Sequence, residues 1–190
     1  VFPLKGGETI LYHAAAGGVG LLACQWARAL GVTMIGTVSS EEKAALARAN
    51  GCTHTIISIR ENIAQRVREL TDGKGVPVVF DSVGKDTLQA SLGSLQVRGT
   101  LVSNGTSSGA VVIDTQQLAA KGSLWVTRPA MMHYIQPRAH MLAMADEVFS
   151  MVLSGKITSA PAQTFALAQA ADAHRALEAR QTVGATVLLP

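Results

Sequence analysis

Cysteine, aromatic rings and charge are all scarce in this sequence, and each scarcity removes a class of protein. The two cysteines, Cys24 and Cys52, lack the C-x-x-C spacing of a zinc or redox site and are too few for a secreted disulfide scaffold. They read as reduced thiols at buried or half-buried positions. Aromatic residues make up 4% of the chain and charged residues 15%. Lys and Arg are scattered among Asp and Glu, so the net charge of +3 forms no basic block or aromatic-interleaved stripe. Nucleic acid is not an expected partner, and a small anionic ligand suits the charge better. No apolar run reaches the roughly eighteen residues of a membrane helix, so no membrane partner is expected. The N-terminus lacks a charged region followed by a hydrophobic one, and a cytoplasmic location follows by default. The chain opens at Val1 and enters a buried-strand pattern almost at once, which reads as a piece of a longer protein.

What is present is apolar and regular. At 190 residues and 48% hydrophobic, the chain can bury a sizeable core, as one domain or one domain plus an appendage. Strand-like and helix-like segments alternate to about residue 129, the pattern of a parallel sheet covered on both faces, so the predicted class is α/β with a doubly wound, Rossmann-type sheet. Strands are expected at Thr9 to Ala14, Val32 to Val38, Thr53 to Ile57, Val76 to Asp81, Gly99 to Ser103 and Leu124 to Thr127. The first helix carries Val19, Leu22, Ala23, Trp26, Ala27 and Leu30 on one face and stops at Gly31, with Trp26 as a core anchor. Ser39 and Glu42 have capping-box spacing for a helix from about Ser40 to Asn50. Further helices are expected around Ile63 to Leu70 and Lys85 to Leu95. After Pro129 the pattern changes to a long amphipathic helix (Pro137 to Leu153), an extended stretch, a helix (Leu167 to Arg180) and an apolar end (Ala185 to Leu189). The expected division is therefore 1–129 for the regular winding and 130–190 for a tail outside it.

Ala15-x-Gly17-x-x-Gly20 lies between the first strand and the first helix. A dinucleotide site needs a tight turn there, backbone that can approach a pyrophosphate, and helix N-terminal amides facing the negative charge. A plain connecting turn is the alternative reading. At the end of the second strand, where an NAD site places a carboxylate on the ribose, stand Ser39 and Ser40, with Lys43 one turn into the helix; this favours NADPH, because a lysine can meet a phosphate that a carboxylate would repel. Glu41 and Glu42 lie close enough to serve a ribose instead, or simply to stabilise the helix N-terminus. No nucleophile elbow, H-E-x-x-H or other catalytic spacing is present, and Asp81, Ser82 and the histidines read as caps, turns or surface residues. Hydride transfer needs no such constellation, since the cofactor carries the chemistry. No metal site is expected.

The segment His13-Ala-Ala-Ala-Gly-Gly-Val-Gly20 resembles the NADPH:quinone oxidoreductases, the zeta-crystallin-like, zinc-independent branch of the medium-chain dehydrogenases/reductases. The resemblance continues through Leu4-Lys5-x-Gly7-Glu8-Thr9, Cys24-Gln25-Trp26-Ala27, Phe80-Asp81-Ser82-Val83-Gly84, Ser107-Ser108-Gly109, Gly122 to Pro129 and Ala173 to Glu178. It implies cofactor contacts from Ala16, Gly17, Gly18, Val19 and Gly20, with Gly18 and Val19 against the pyrophosphate. It further implies Ser39, Lys43 and Ser58 at the adenosine phosphate, and Val83, Asn104, Gly105, Thr106 and Ser107 toward the nicotinamide, with Arg180 also near the cofactor. Ser58 stands where such enzymes often carry Tyr. Asn104 replaces an aromatic residue or is a polar turn residue before Gly105. The resemblance also implies a GroES-like substrate domain that this chain lacks and to which residues 130–190 would return, no zinc, and a homodimer formed through the edge strand near 124–127. The expected activity is hydride transfer from NADPH to a small quinone. An enoyl reductase acting on α,β-unsaturated carbonyls and a non-catalytic, crystallin-like nucleotide-binding protein are the competing readings.

Overall fold

A computed structural model describes residues 1–159, 161–179 and 181–190. Six strands, β1 (Thr9–Tyr12), β2 (Thr33–Val38), β3 (His54–Ile57), β4 (Val76–Asp81), β5 (Leu95–Ser103) and β6 (Trp125–Thr127), form one sheet in the order β3-β2-β1-β4-β5-β6. Every pairing in it is parallel. The order reverses between β1 and β4, the topological switch point of a doubly wound fold. The expected fold class is thus the observed one.

Successive strand residues face opposite layers, as a pleated strand requires. Ile10, Met34, Ile57 and Val78 pack with α1 (Gly18–Leu30) and α2 (Glu41–Ala49) on one face. Their neighbours Leu11, Ile35, Ile56 and Val79 pack with α3 (Ile63–Leu70) and α4 (Leu88–Ser94) on the other. Both faces are apolar because both are covered.

Several boundaries differ from expectation for local reasons. The buried residues of α1 are Gly20, Cys24, Gln25 and Ala27, whereas Val19 is 69% exposed and Leu30 43% exposed, and Trp26 is only half-buried. Small residues let the helix lie close to the sheet, so Trp26 flanks the interface instead of anchoring it. The cap of α2 is Ser40, not Ser39: the backbone stays extended through Ser40, whose hydroxyl accepts from the Lys43 amide at 3.3 Å. α4 begins later than expected because residues 81–87 form an elbow in which Thr87 bonds the Asp81 carboxylate. β5 begins earlier, at Leu95, because it pairs with Val76 and then shifts register before Thr100 meets Val78.

Beyond Thr127 the chain leaves the regular strand–helix winding. α5 (Thr115–Ala120) precedes β6; after β6 come α6 (Met131–Ile135), α7 (Arg138–Leu153), β7 (Gln163–Ala166), α8 (Ala170–Glu178) and β8 (Thr186–Leu189). β7 and β8 pair in parallel as a separate two-stranded sheet. α5 and α6 were not expected from the sequence, while β7 falls in the extended stretch expected between Leu153 and Leu167. Arg180, the expected end of the last helix, lies outside the described residues. This segment meets the sheet half at definite points: buried Gln25 donates to the Thr158 carbonyl at 3.0 Å and accepts from its amide at 2.8 Å, and the Gly184 amide donates to the Ala16 carbonyl at 3.0 Å.

Candidate functional site

The carboxyl ends of β1, β2, β3, β4 and β5 bring nearly all the expected cofactor residues to one edge of the sheet. At the end of β1 the chain turns through Ala14, at φ 57, and enters α1 at Gly17. Gly17 caps α1 and, among the described residues, no side-chain hydrogen bond caps the helix N-terminus, an arrangement suited to an anion. Gly20 is sterically required: a Cβ there would lie 2.4 Å from the Ala14 carbonyl oxygen and 2.6 Å from that of Ala15. This is the close helix–strand approach expected of the last glycine in a dinucleotide fingerprint. Gly18 is less constrained, a Cβ there meeting only Gly184 and Ala185 at ordinary distance. Val19 projects into solvent.

Ser39, Lys43 and Ser58 gather at the ends of β2 and β3, where Val38 pairs with Ile57. Ser58 donates its hydroxyl to the Val38 carbonyl at 3.1 Å, alongside its amide at 2.9 Å. Of the two acids that could serve a ribose, Glu41 faces Arg60 at 3.8 Å and Glu42 is exposed. Ser39 and Lys43 are both half-buried.

Across the switch point, the loops after β4 and β5 are laced together. Asp81 accepts the amides of Val83 at 2.9 Å and Gly84 at 3.0 Å through its carboxylate, and those of Asn104 at 2.8 Å and Gly105 at 3.3 Å through its backbone carbonyl. Ser107 bonds the Ser82 carbonyl and Ser108 that of Val83. A Cβ on Gly105 would fall 2.2 Å from the Ser82 carbonyl oxygen, so only glycine allows these loops to touch. Thr106 is exposed at the loop tip. Arg180 lies outside the described residues. An open hollow lined by Glu8, Thr9, Asp72, Lys74 and Gln96 lies at the opposite, amino-terminal edge of the strands.

Sequence reasoning missed the polar cluster beneath this edge. His13, expected as a cap, turn or surface residue, is 0% exposed. Its ring stands 3.0 Å from the Thr37 hydroxyl and 3.0 Å from that of Ser91, and Ser91 donates to Asp81 at 2.6 Å. Burial holds the His13 imidazole below its ordinary value, against the opposing pull of Asp81. Burial alone would raise Asp81, but the imidazole's charge when protonated and hydrogen bonds from Ser91, Gly84 and Thr87 hold it below the ordinary carboxylate value. The visible signal was a histidine and a threonine at strand ends otherwise built of apolar residues. Cys24 and Cys52 are buried free thiols.

The family model for zinc-binding dehydrogenases matches residues 18–147. A quinone oxidoreductase of Pseudomonas aeruginosa is 57% identical over the whole chain, which spans 58% of that protein. A 2-haloacrylate reductase of Burkholderia sp. is 48% identical over 98% of the chain and 57% of its own length. The crystal structure of Escherichia coli quinone oxidoreductase complexed with NADPH superimposes with a TM-score of 0.95 at 46% identity, covering all of this chain and 59% of that one. The chain thus spans less than two thirds of the length of these relatives.

Proposed function

The chain belongs to the zinc-binding dehydrogenase family, and on that premise we propose that it is the NADPH-binding part of a reductase that delivers hydride to a quinone. The observation that carries this reading is the edge at the β1/β4 switch point, where a glycine turn without a side-chain cap meets the end of β2, which carries Ser39, Ser40 and Lys43 and whose nearby Glu41 faces Arg60. In this reading Ala16 to Gly20 receive the pyrophosphate, Ser39, Lys43 and Ser58 receive the adenosine phosphate, and Val83 with Asn104 to Ser107 flank the nicotinamide. Arg180 belongs to the same proposed contact set. NADPH, once bound, supplies the hydride; the chain binds it, orients it and shields one side of its ring. Residues 1–129 form the cofactor unit, and 130–190 return toward the substrate-binding part of the longer protein.

Zinc does not fit the residues present. Among the described residues no group of three His, Cys, Asp or Glu could hold a metal ion, and both thiols are buried and hydrogen-bonded to Met34 and nearby carbonyls. Reduction of an activated alkene is the second reading, favoured by the similarity to a 2-haloacrylate reductase; comparing turnover of a quinone and a haloacrylate by the longer protein separates the two.

Calorimetric titration of this chain with NADPH and then NADH, at one modest ionic strength, tests the cofactor assignment. We expect NADPH to bind more tightly, and Lys43→Ala to weaken it about tenfold while changing NADH by about twofold or less. Equal weakening of both would rule out the phosphate role of Lys43. We also propose that two copies pair through β6, the sheet edge on which Trp125 is 63% exposed. Light scattering at micromolar concentration should report a dimer, and a monomer would count against the pairing.

A further inference from the structure

The buried polar cluster under the site has a direction. Asp81 is ionised and accepts only, so the Ser91 hydroxyl donates to it at 2.6 Å. With its single proton spent, Ser91 accepts from His13 Nε2 at 3.0 Å. A neutral imidazole then offers Nδ1 as an acceptor, which the Thr37 hydroxyl fills at 3.0 Å. Thr37 in turn accepts the amide of Ala14, the first residue of the glycine turn, at 3.3 Å. The chain of donors runs from the Ala14 amide through Thr37, His13 and Ser91 to Asp81 without a reversal. Every member is saturated: among the described residues no buried side-chain polar atom lacks a partner.

The two ends of this chain lie in the two loops that flank the switch point. Ala14 opens the glycine turn on β1, while Asp81 gathers the amides of Val83, Gly84, Asn104 and Gly105. Between them the links pass through β2 and α4. Backbone pairing of β1 and β4 ties the strands together through Leu11 and Tyr12 of β1; past it, this buried path and the His13 amide bonded to Phe80 join the two sides.

We propose that Thr37, His13, Ser91 and Asp81 form a positioning network that holds the glycine turn and the nicotinamide-side loops at a fixed separation, so that one dinucleotide engages both at once. His13 is its neutral centre and touches no ligand. Buried, fully satisfied networks of this kind specify one geometry because any broken link leaves a polar group unpaired. The inference rests on the dinucleotide reading above.

The test compares a whole dinucleotide with its adenosine half. NADPH must bridge the two loops, whereas adenosine 2′,5′-bisphosphate needs only the β1–β2 side. Thr37→Val keeps the side chain's volume and deletes the hydroxyl; Thr37→Ser keeps the hydroxyl and loses the methyl. In titrations of this chain, Thr37→Val is expected to weaken NADPH about tenfold and the bisphosphate about twofold or less, and Thr37→Ser to restore NADPH affinity to within about twofold. Ser91→Ala breaks the same path on the other side of His13 and should show the same split; if Thr37→Val does not fold by circular dichroism, Ser91→Ala carries the test. Equal losses for both ligands, no loss, or a Ser variant as weak as the Val variant would overturn the network's role. If the unaltered chain binds neither ligand, the dinucleotide reading itself falls, and this inference with it.

Discussion

The sheet half and the segment after Pro129 treat their apolar residues in opposite ways. In the sheet, Leu11, Ile35, Val79 and Leu101 are buried on a face closed by two helices. In α7, no residue is buried, and Met141, Leu142, Met144, Val148, Phe149 and Leu153 are all exposed. Both segments are rich in hydrophobic residues, so composition does not separate them. What separates them is the number of surfaces offered: a doubly wound sheet supplies two faces, whereas α7 runs against little besides α6. The later segment is attached at a few points, the hydrogen bonds Gln25–Thr158 and Ala16–Gly184 and the buried side chains of Ile157 and Ala173. Stability should therefore reside in residues 9–127 and be nearly indifferent to the side chains of α7.

The sharpest way to break this comparison is to truncate one leucine in each region. Leu101 is 1% exposed and Leu153 87% exposed. Leu101→Ala removes packed methyl groups and leaves a cavity between β5 and its covering helix, a loss of about 2–5 kcal/mol. Leu153→Ala removes a side chain surrounded by solvent and should stay within about 0.5 kcal/mol. Urea unfolding of the two variants measures both. Comparable losses would mean that α7 is packed against something in solution and that the contrast is false.

How much of this was legible in the sequence follows from the range of the interactions involved. α3 and β4 were expected at Ile63 to Leu70 and Val76 to Asp81, where they are found, because their patterns and stop signals are local. The glycine turn was legible for the same reason: strand, small residues and helix follow within one segment. The buried face of α1 was not, because a count of apolar residues favours large side chains, whereas close approach to the sheet selected Gly20, Cys24 and Ala27. Ser39 and Ser40 are equally good caps on paper; only the length of β2 decides between them. β7 was legible only as an extended stretch, and its pairing was not, because four residues carry little periodicity and its partner β8 lies beyond α8. His13 found its partners across separations of 24 and 78 residues, and those depend on a strand order that no local pattern reveals.

Acid offers a smaller and graded way to sharpen the same contrast, because His13 and Asp81 place buried ionisable groups in the sheet half. Burial lowers the His13 value from its ordinary 6.5, so below that pH the unfolded chain takes up a proton that the folded chain resists. Each such proton favours unfolding, and the loss grows as pH falls toward the folded-state value. Asp81 is also lowered, from 3.8; its contribution is intact above that pH and lost as the pH falls through its folded-state value. The two effects have the same sign and act in sequence, His13 first. Unfolding free energy measured between about pH 7.5 and pH 5 should fall on the acid side. In His13→Gln, which offers a donor and an acceptor but no titrating group, the curve should start lower and run flatter over that range. An unchanged slope in the variant would mean that acid acts elsewhere, and that the neutral imidazole at the centre of the polar path does not govern the sheet half's response to pH.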